Sequence, residues 1–347
     1  MAISRKIKRR PIEKGRAAKG LIIGALLAAA MIWIRAYAML IPLALCVWAY
    51  ISTLAFSLLA NWVERRTPIG RKWLSWVLGA VFGAAGAAFI VTFVVSLATV
   101  SSPDGESRLY IVDKLHFGVA CDTADAASYY RTHQLGRISH GDKAMVHTPM
   151  GPLATRIAAR PGDTVAIVDA ALFVNGEMAD HGERALAVFK LRPRAPYTIV
   201  RQMRERMAEI EEDTHTSSVC DSATFRIPVA EREEKWKAYT YASILPNMDD
   251  ERVFPWNTAY LWNAYHWGPI RLPKSGETIS LTYANVMLYG PLVRRYEKTE
   301  LRVQKGETYT FKLSYYMTLN DNRDIIADSR QFGPTPESHI ISHILKL

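Results

Sequence analysis

Three apolar stretches dominate the first hundred residues: GLIIGALLAAAMIWI (20–34), AYAMLIPLALCVWAYISTLAFSLLANW (36–62) and WLSWVLGAVFGAAGAAFIVTFVVSLATV (73–100). A bilayer's hydrocarbon core, about 30 Å thick, takes about 20 apolar residues at a rise of about 1.5 Å each. The stretches are too long and too poor in charge for soluble core helices, so they predict transmembrane helices. The first is short and is expected to continue past Arg35, whose side chain can reach the interface. No small-residue cleavage site follows it, so an anchor is expected rather than a removable leader.

Beyond Val100 the pattern changes. RLYIVDKLHFG, KAMVHTP, TVAIVDAALFVNGE, ETISLTY, LRVQKG and TYTFKLSYYMTL are short apolar or alternating runs, bounded by Gly, Asn, Asp and Pro. Such runs predict strands, and IVDAALFVNGE predicts a hairpin with turns at Asp169-Ala170 and Asn175-Gly176. TIVRQMRERMAEIEEDTH (198–215) is rich in helix formers and charge and predicts an exposed inserted helix. The expected fold class is therefore mainly β, antiparallel, outside the membrane and anchored by N-terminal transmembrane α-helices.

Charge refines the topology. The formal net charge is +10 over 347 residues. Residues 1–19 supply +7 and residues 63–73 supply +3, leaving the rest near zero. Basicity confined to the flanks of apolar segments marks cytoplasmic sides of a membrane and argues against a nucleic-acid surface. The expected order is a basic cytoplasmic N-terminus (1–19), a helical hairpin (20–62), a basic cytoplasmic loop (63–73) and a third transmembrane helix (74–100). An exported domain (101–347) follows, with an inserted region at about 180–285. The protein is expected to be a multi-pass inner-membrane protein with its large domain on the outer, periplasmic side.

Cys46 falls in an expected membrane helix as a packing residue. Cys121 and Cys220 both fall in the exported part, where they either bridge or remain two thiols. No CxxC occurs and the nine His are scattered, so neither a metal nor a cofactor is expected.

RIAARPGD (156–163), running into TVAIVDAALFVNGE, resembles the type I signal peptidase segment Lys-Arg-x-x-Gly-x-Pro-Gly-Asp with its following strand. NDNRDIIADSRQFGPTPES (320–338) is similar to that family's C-terminal Gly-Asp-Asn-Arg-x-x-Ser-x-Asp-Ser-Arg-x-Trp-Gly loop. ERVFPWNTAYLWNAYHWGPIRLPKSGETISLT (251–282) also looks like the insert of larger members. Retained motif residues are Arg156, Pro161, Gly162, Asp163, Asp321, Asn322, Arg323, Asp328, Ser329, Arg330 and Gly333.

The resemblance implies a serine nucleophile activated by a neutral lysine, and those positions depart from the family. The lysine position reads Thr155, and Arg156 cannot replace it because a guanidinium stays protonated. SSPDGE (101–106) puts Asp104 at the nucleophile and Gly105 at the following Met. The family's following Gly-Asp is missing too, because only SRLY separates Glu106 from IVDKLHFG, so the substrate-facing strand is expected to be shortened. Ile326 stands where the family has a supporting serine, and Asn320 replaces the loop's leading glycine. No catalytic residue is assigned with these identities.

The expectation is a membrane-anchored, non-catalytic homologue that binds exported preproteins, signal peptides or a partner membrane protein. The alternative is a divergent active signal peptidase with a relocated dyad, drawing on Ser101 or Ser102 and on Lys114 or Lys143. A subunit of a larger membrane complex, docked through 20–62, is a third reading.

Overall fold

The computed structural model describes residues 136–180, 185–214, 223–257 and 259–346. It also describes 95–101, 107–113, 116–118, 120–121, 130–131 and the helical Gly86. The membrane segments expected at 20–62 and over most of 74–100 lie outside these residues. Among the described residues no helix is long and apolar enough to cross a membrane.

In chain order the strands begin with β1 (Val95–Ser101), β2 (Ser107–Asp113), β3 (Ala120–Cys121) and β4 (Tyr130–Arg131). There follow β5 (Lys143–Thr148), β6 (Gly151–Ala159), β7 (Thr164–Val168), β8 (Ala171–Val174) and β9 (Glu177–Met178). Next come β10 (Leu186–Leu191), helix α1 (Tyr197–Thr214), β11 (Thr224–Pro228), helical turns over 229–239 and β12 (Thr240–Ala242). After these come β13 (Trp267–Arg271), β14 (Thr278–Ser280), helix α2 (Tyr283–Tyr296), β15 (Thr308–Thr310) and β16 (Tyr315–Leu319). Helix α3 (Ser329–Phe332), β17 (Thr335–Pro336) and β18 (Ile340–Lys346) complete the described chain.

Seven strands form the main sheet in the order β1-β2-β18-β5-β6-β16-β17. An added parallel pairing of Ser101 with Leu153 closes β1, β2, β18, β5 and β6 into a ring. Apart from an isolated parallel bridge between Leu186 and Asn322, the other pairings among the described residues are antiparallel, which suits alternation in short runs. A four-stranded sheet, β13-β7-β8-β9, and a three-stranded one, β11-β10-β12, carry most of the rest. Both expected tight turns are present: Asp169 and Ala170, then Asn175 and Gly176, all have positive φ between paired strands. Two consecutive left-handed residues match the twist of a two-residue hairpin.

The core divides by sheet. One apolar cluster joins β7, β13 and β16 to α2, whose Tyr289, Leu292, Val293 and Tyr296 recur at helical spacing on one buried face. A second joins β10, β11 and α1, where Met203 is fully buried while Arg201 and Glu205 stay outside. A third lies between β5, β6 and β18 and contains Phe117, Ala144, Val146, Ile157 and Ile340.

Several expectations are corrected. Residues 95–100, read as the end of the third membrane helix, form strand β1, in register with β2 along its whole length. Val95, Thr99 and Val100 are β-branched and suit a ladder. ETISLTY is a strand only at Thr278–Ser280, because the Thr282 hydroxyl accepts the Asn285 amide and caps α2. LRVQKG forms no strand, since Leu301 alone among its residues is buried. TYTFKLSYYMTL breaks into β15 and β16.

Candidate functional site

β6 carries Thr155, which the resemblance sets at the base position. Thr155 sits opposite Ala144 and shares a sheet face with the buried Leu153 and Ile157. It is 8% exposed, and its hydroxyl is buried without a hydrogen-bond partner. The Ser101–Leu153 pairing ends β1 two residues short of Thr155 along the parallel strand. Asp104, Ser102 and Lys114 lie outside the described residues, as does Cys220, and of Cys121 only the backbone, paired with Tyr130, is described.

Lys143, the other candidate base, is paired with Arg156. Cross-strand partners share a face and neighbours along a strand do not, so Lys143 points away from the Thr155 side. Its Nζ lies 4.0 Å from Asp321 Oδ2. Arg156 donates to both Asp321 oxygens at 2.7 Å and to the Gly141 carbonyl at 2.6 Å. Burial raises the Asp321 pKa, but the Arg156 hydrogen bonds and charge, with Lys143, hold it below the usual carboxylate range. Arg156 is correspondingly raised, first by its hydrogen bond to Asp321.

The loop after β16 is a closed hydrogen-bonding assembly. Arg330 is 0% exposed and uses its whole donor fork. Nε and Nη2 donate to Asp328 at 3.0 and 2.7 Å, Nη1 to the carbonyls of Ala264 and Arg323 at 2.8 and 2.6 Å, and Nη2 also to Ile325 at 2.6 Å. Asp328 in turn accepts the Asn320 and Arg330 amides and caps α3. Arg323 donates to Asp180 and to the Asn320 carbonyl, and its amide donates to the Leu186 carbonyl, tying the loop to β10. Burial lowers the Arg323 pKa against the opposing charge of Asp180. Ser329 Oγ accepts the Thr318 amide at 2.9 Å and meets the Thr318 hydroxyl at 3.0 Å. The Asn322 carboxamide oxygen accepts the Asp324 amide. Gly333 has φ +83°, and a Cβ there would stand 2.8 Å from the Phe254 ring. Ile326, which the resemblance sets at the supporting-serine position, packs against both the first and second apolar clusters.

The RPGD corner is equally structural. Asp163 accepts the Arg160 amide at 2.8 Å and the Asn175 carboxamide at 2.9 Å, with His140 Nε2 at 3.3 Å. Burial pushes its pKa up, but the Arg160 amide, Asn175 and His140 together hold it low. Gly162, at φ +94° after Pro161, donates its amide to the Leu272 carbonyl and so fixes the β6–β7 corner to the end of β13. Asp180, Ala264 and Asp324, which takes the Tyr265 hydroxyl and Arg226, were not legible in the sequence. They lie far along the chain from their partners in no recognisable spacing.

What this arrangement offers is a β1–β6 junction paired through Ser101 and Leu153 alone, with Lys143 turned away from the Thr155 hydroxyl. Residues 72–231 match the family model described as Signal peptidase, peptidase S26. That span takes in β1–β11 and the RPGD corner and stops short of the 320–333 loop. No curated protein matched the chain. Over residues 72–231 this chain is therefore similar to the signal peptidase, peptidase S26, family.

Proposed function

We propose that this protein is a membrane-anchored signal peptidase homologue that binds exported chains, or a partner membrane protein, without cleaving them. The observation that carries this reading is Thr155. At the base position stands a buried hydroxyl that cannot accept a serine proton, beside an Arg156 already committed to Asp321. Lys143 projects from the opposite face. A hydroxyl nucleophile without a base is inactive at neutral pH, and a carboxylate at Asp104 repels a developing oxyanion. Binding needs less, because an extended peptide can pair its backbone along a strand edge without any acid–base group.

The test uses the full chain, purified in detergent or lipid, with an extended signal peptide carrying a photo-crosslinker. Crosslinks within 101–110 and 150–157, with no cleavage above background, are the expected result. Wild-type cleavage that Ser101→Ala or Ser102→Ala abolishes would establish a relocated dyad and overturn the proposal.

A further inference from the structure

The scattered histidines of the sequence do not all stay scattered in the fold. Asp113 ends β2, His116 lies in the turn after it, and His343 lies in β18, 230 positions from Asp113. β2 and β18 are neighbours, and His343 is paired directly with Asp113. One carboxylate oxygen and one ring nitrogen from each histidine all lie within 4.8 Å of one another, in side chains that are only partly buried. We infer that Asp113, His116 and His343 form a binding site for a divalent transition-metal ion of the zinc class.

The surroundings hold these side chains in place. The His116 amide donates to Asp113 Oδ1 at 3.1 Å, so the turn folds back onto the carboxylate. The two imidazoles lie 4.6 Å apart between centroids, and Phe117 walls the site edge-on to His343 at 5.4 Å. A Cβ on Gly136 would stand 2.5 Å from His116 Nε2, so a side chain there would displace the imidazole. The Arg131 guanidinium spans the two halves of the site. It donates to the carbonyls of Phe117 and Gly118 on the His116 side and to those of Glu337 and Ile340 at the root of β18.

The donor set selects the ion. Imidazole and carboxylate together favour zinc, cobalt, nickel and copper over calcium or magnesium, which prefer oxygen alone. Tetrahedral zinc with bonds of about 2.0–2.1 Å needs ligand atoms about 3.3 Å apart, so the present spread of up to 4.8 Å has to tighten on binding. Three protein ligands leave a fourth position for water. Two neutral imidazoles and one carboxylate leave a net charge of +1 on the occupied site. A bound ion would clamp the last strand to β2, in the cross-strand row that runs from Asp113 and His343 through Ala144 to Thr155.

The test is metal binding by the full chain after dialysis against a chelator. Titration with Co²⁺ should give a ligand-field spectrum saturating at one ion per chain, displaced by Zn²⁺. Zn²⁺ at a hundredfold excess over its Kd should raise Tm by roughly 5–10 °C. His343→Gln should weaken binding at least tenfold, whereas His147→Gln should leave it unchanged. A readout on the unmutated chain guards against misfolding of the variant: Zn²⁺ should protect His116 and His343, but not His140, from diethyl pyrocarbonate. No binding of either ion below about 100 µM, unchanged binding in His343→Gln, or absence of that protection would each overturn the site.

Discussion

Replacing Asp328 by Asn tests whether the 320–333 loop is a structural lock. The change keeps shape and removes one charge from an ion pair whose two side chains are each 0% exposed. Asp328 accepts four hydrogen bonds: the Asn320 and Arg330 amides at 3.0 and 2.9 Å, and Arg330 Nε and Nη2 at 3.0 and 2.7 Å. An amide has one oxygen, so two of these donors would face an NH₂ group, and Arg330 would keep a buried charge with no counter-ion. Breaking a buried pair by removing one partner costs about 3–5 kcal/mol. Total stabilities run about 5–15 kcal/mol, so roughly a fifth or more would go. At about 2–4 °C per kcal/mol for a domain of this size, Tm should fall by roughly 6–20 °C. Intrinsic tryptophan fluorescence suits the assay. Trp256 Nε1 donates to the Gln331 carbonyl, and the Phe254 amide donates to that of Arg330. Adding Arg330→Met should recover part of the loss by removing the stranded charge, although three carbonyls then lose a donor. A Tm within 2 °C of wild type for Asp328→Asn would refute the lock.

Thr155→Val should match or exceed wild-type stability by up to about 1 kcal/mol in thermal unfolding, because it replaces a buried, unpaired hydroxyl with a methyl of similar shape. A loss above about 1 kcal/mol would mean that the hydroxyl has a partner. His339, packed against the Tyr296 ring at 5.0 Å, is pushed down to about 4 by burial, with His147 and Lys298 adding to the shift. Its depressed folded pKa contributes stability that is present above about 6.5 and lost as pH falls towards 4. His339→Gln should therefore flatten the acid limb of Tm against pH in that window, and an unchanged slope would rule out His339 as its source.

How much of this was legible depends on the range of the interaction. The hairpin at Asp169-Ala170 and Asn175-Gly176 and the helix at 198–215 follow from local chemistry, namely turn residues and helix formers, and the fold contains both. The identities at 155 and 326 were equally readable, since motif alignment needs no structure. Sheet order was not readable, because the pairing of β18 with β2 and β5 joins segments about two hundred positions apart. The Asp113, His116 and His343 group depends on that pairing and was missed with it. β1 was misread for a different reason. Val95–Ser101 continues an apolar run without a break, and hydropathy alone does not separate a membrane helix from a strand buried in a sheet.

The residues that match the family motif and those that depart from it differ in what they hold. Arg330, Asp328, Arg323, Ser329, Arg156 and Asp163 each satisfy partners in at least one other element or turn, so their removal strands buried groups. The base and supporting-serine positions differ in kind. A lysine on the buried face of β6 would have to be kept neutral at a cost in stability, and Thr155 relieves that cost. A serine at 326 would expose a polar group to two apolar clusters, where Ile326 instead adds packing. Stability alone therefore favours keeping the frame over keeping catalytic groups, which are commonly held at the expense of stability. On this argument, returning Lys to 155 and Ser to 326 lowers stability whether or not it restores any activity.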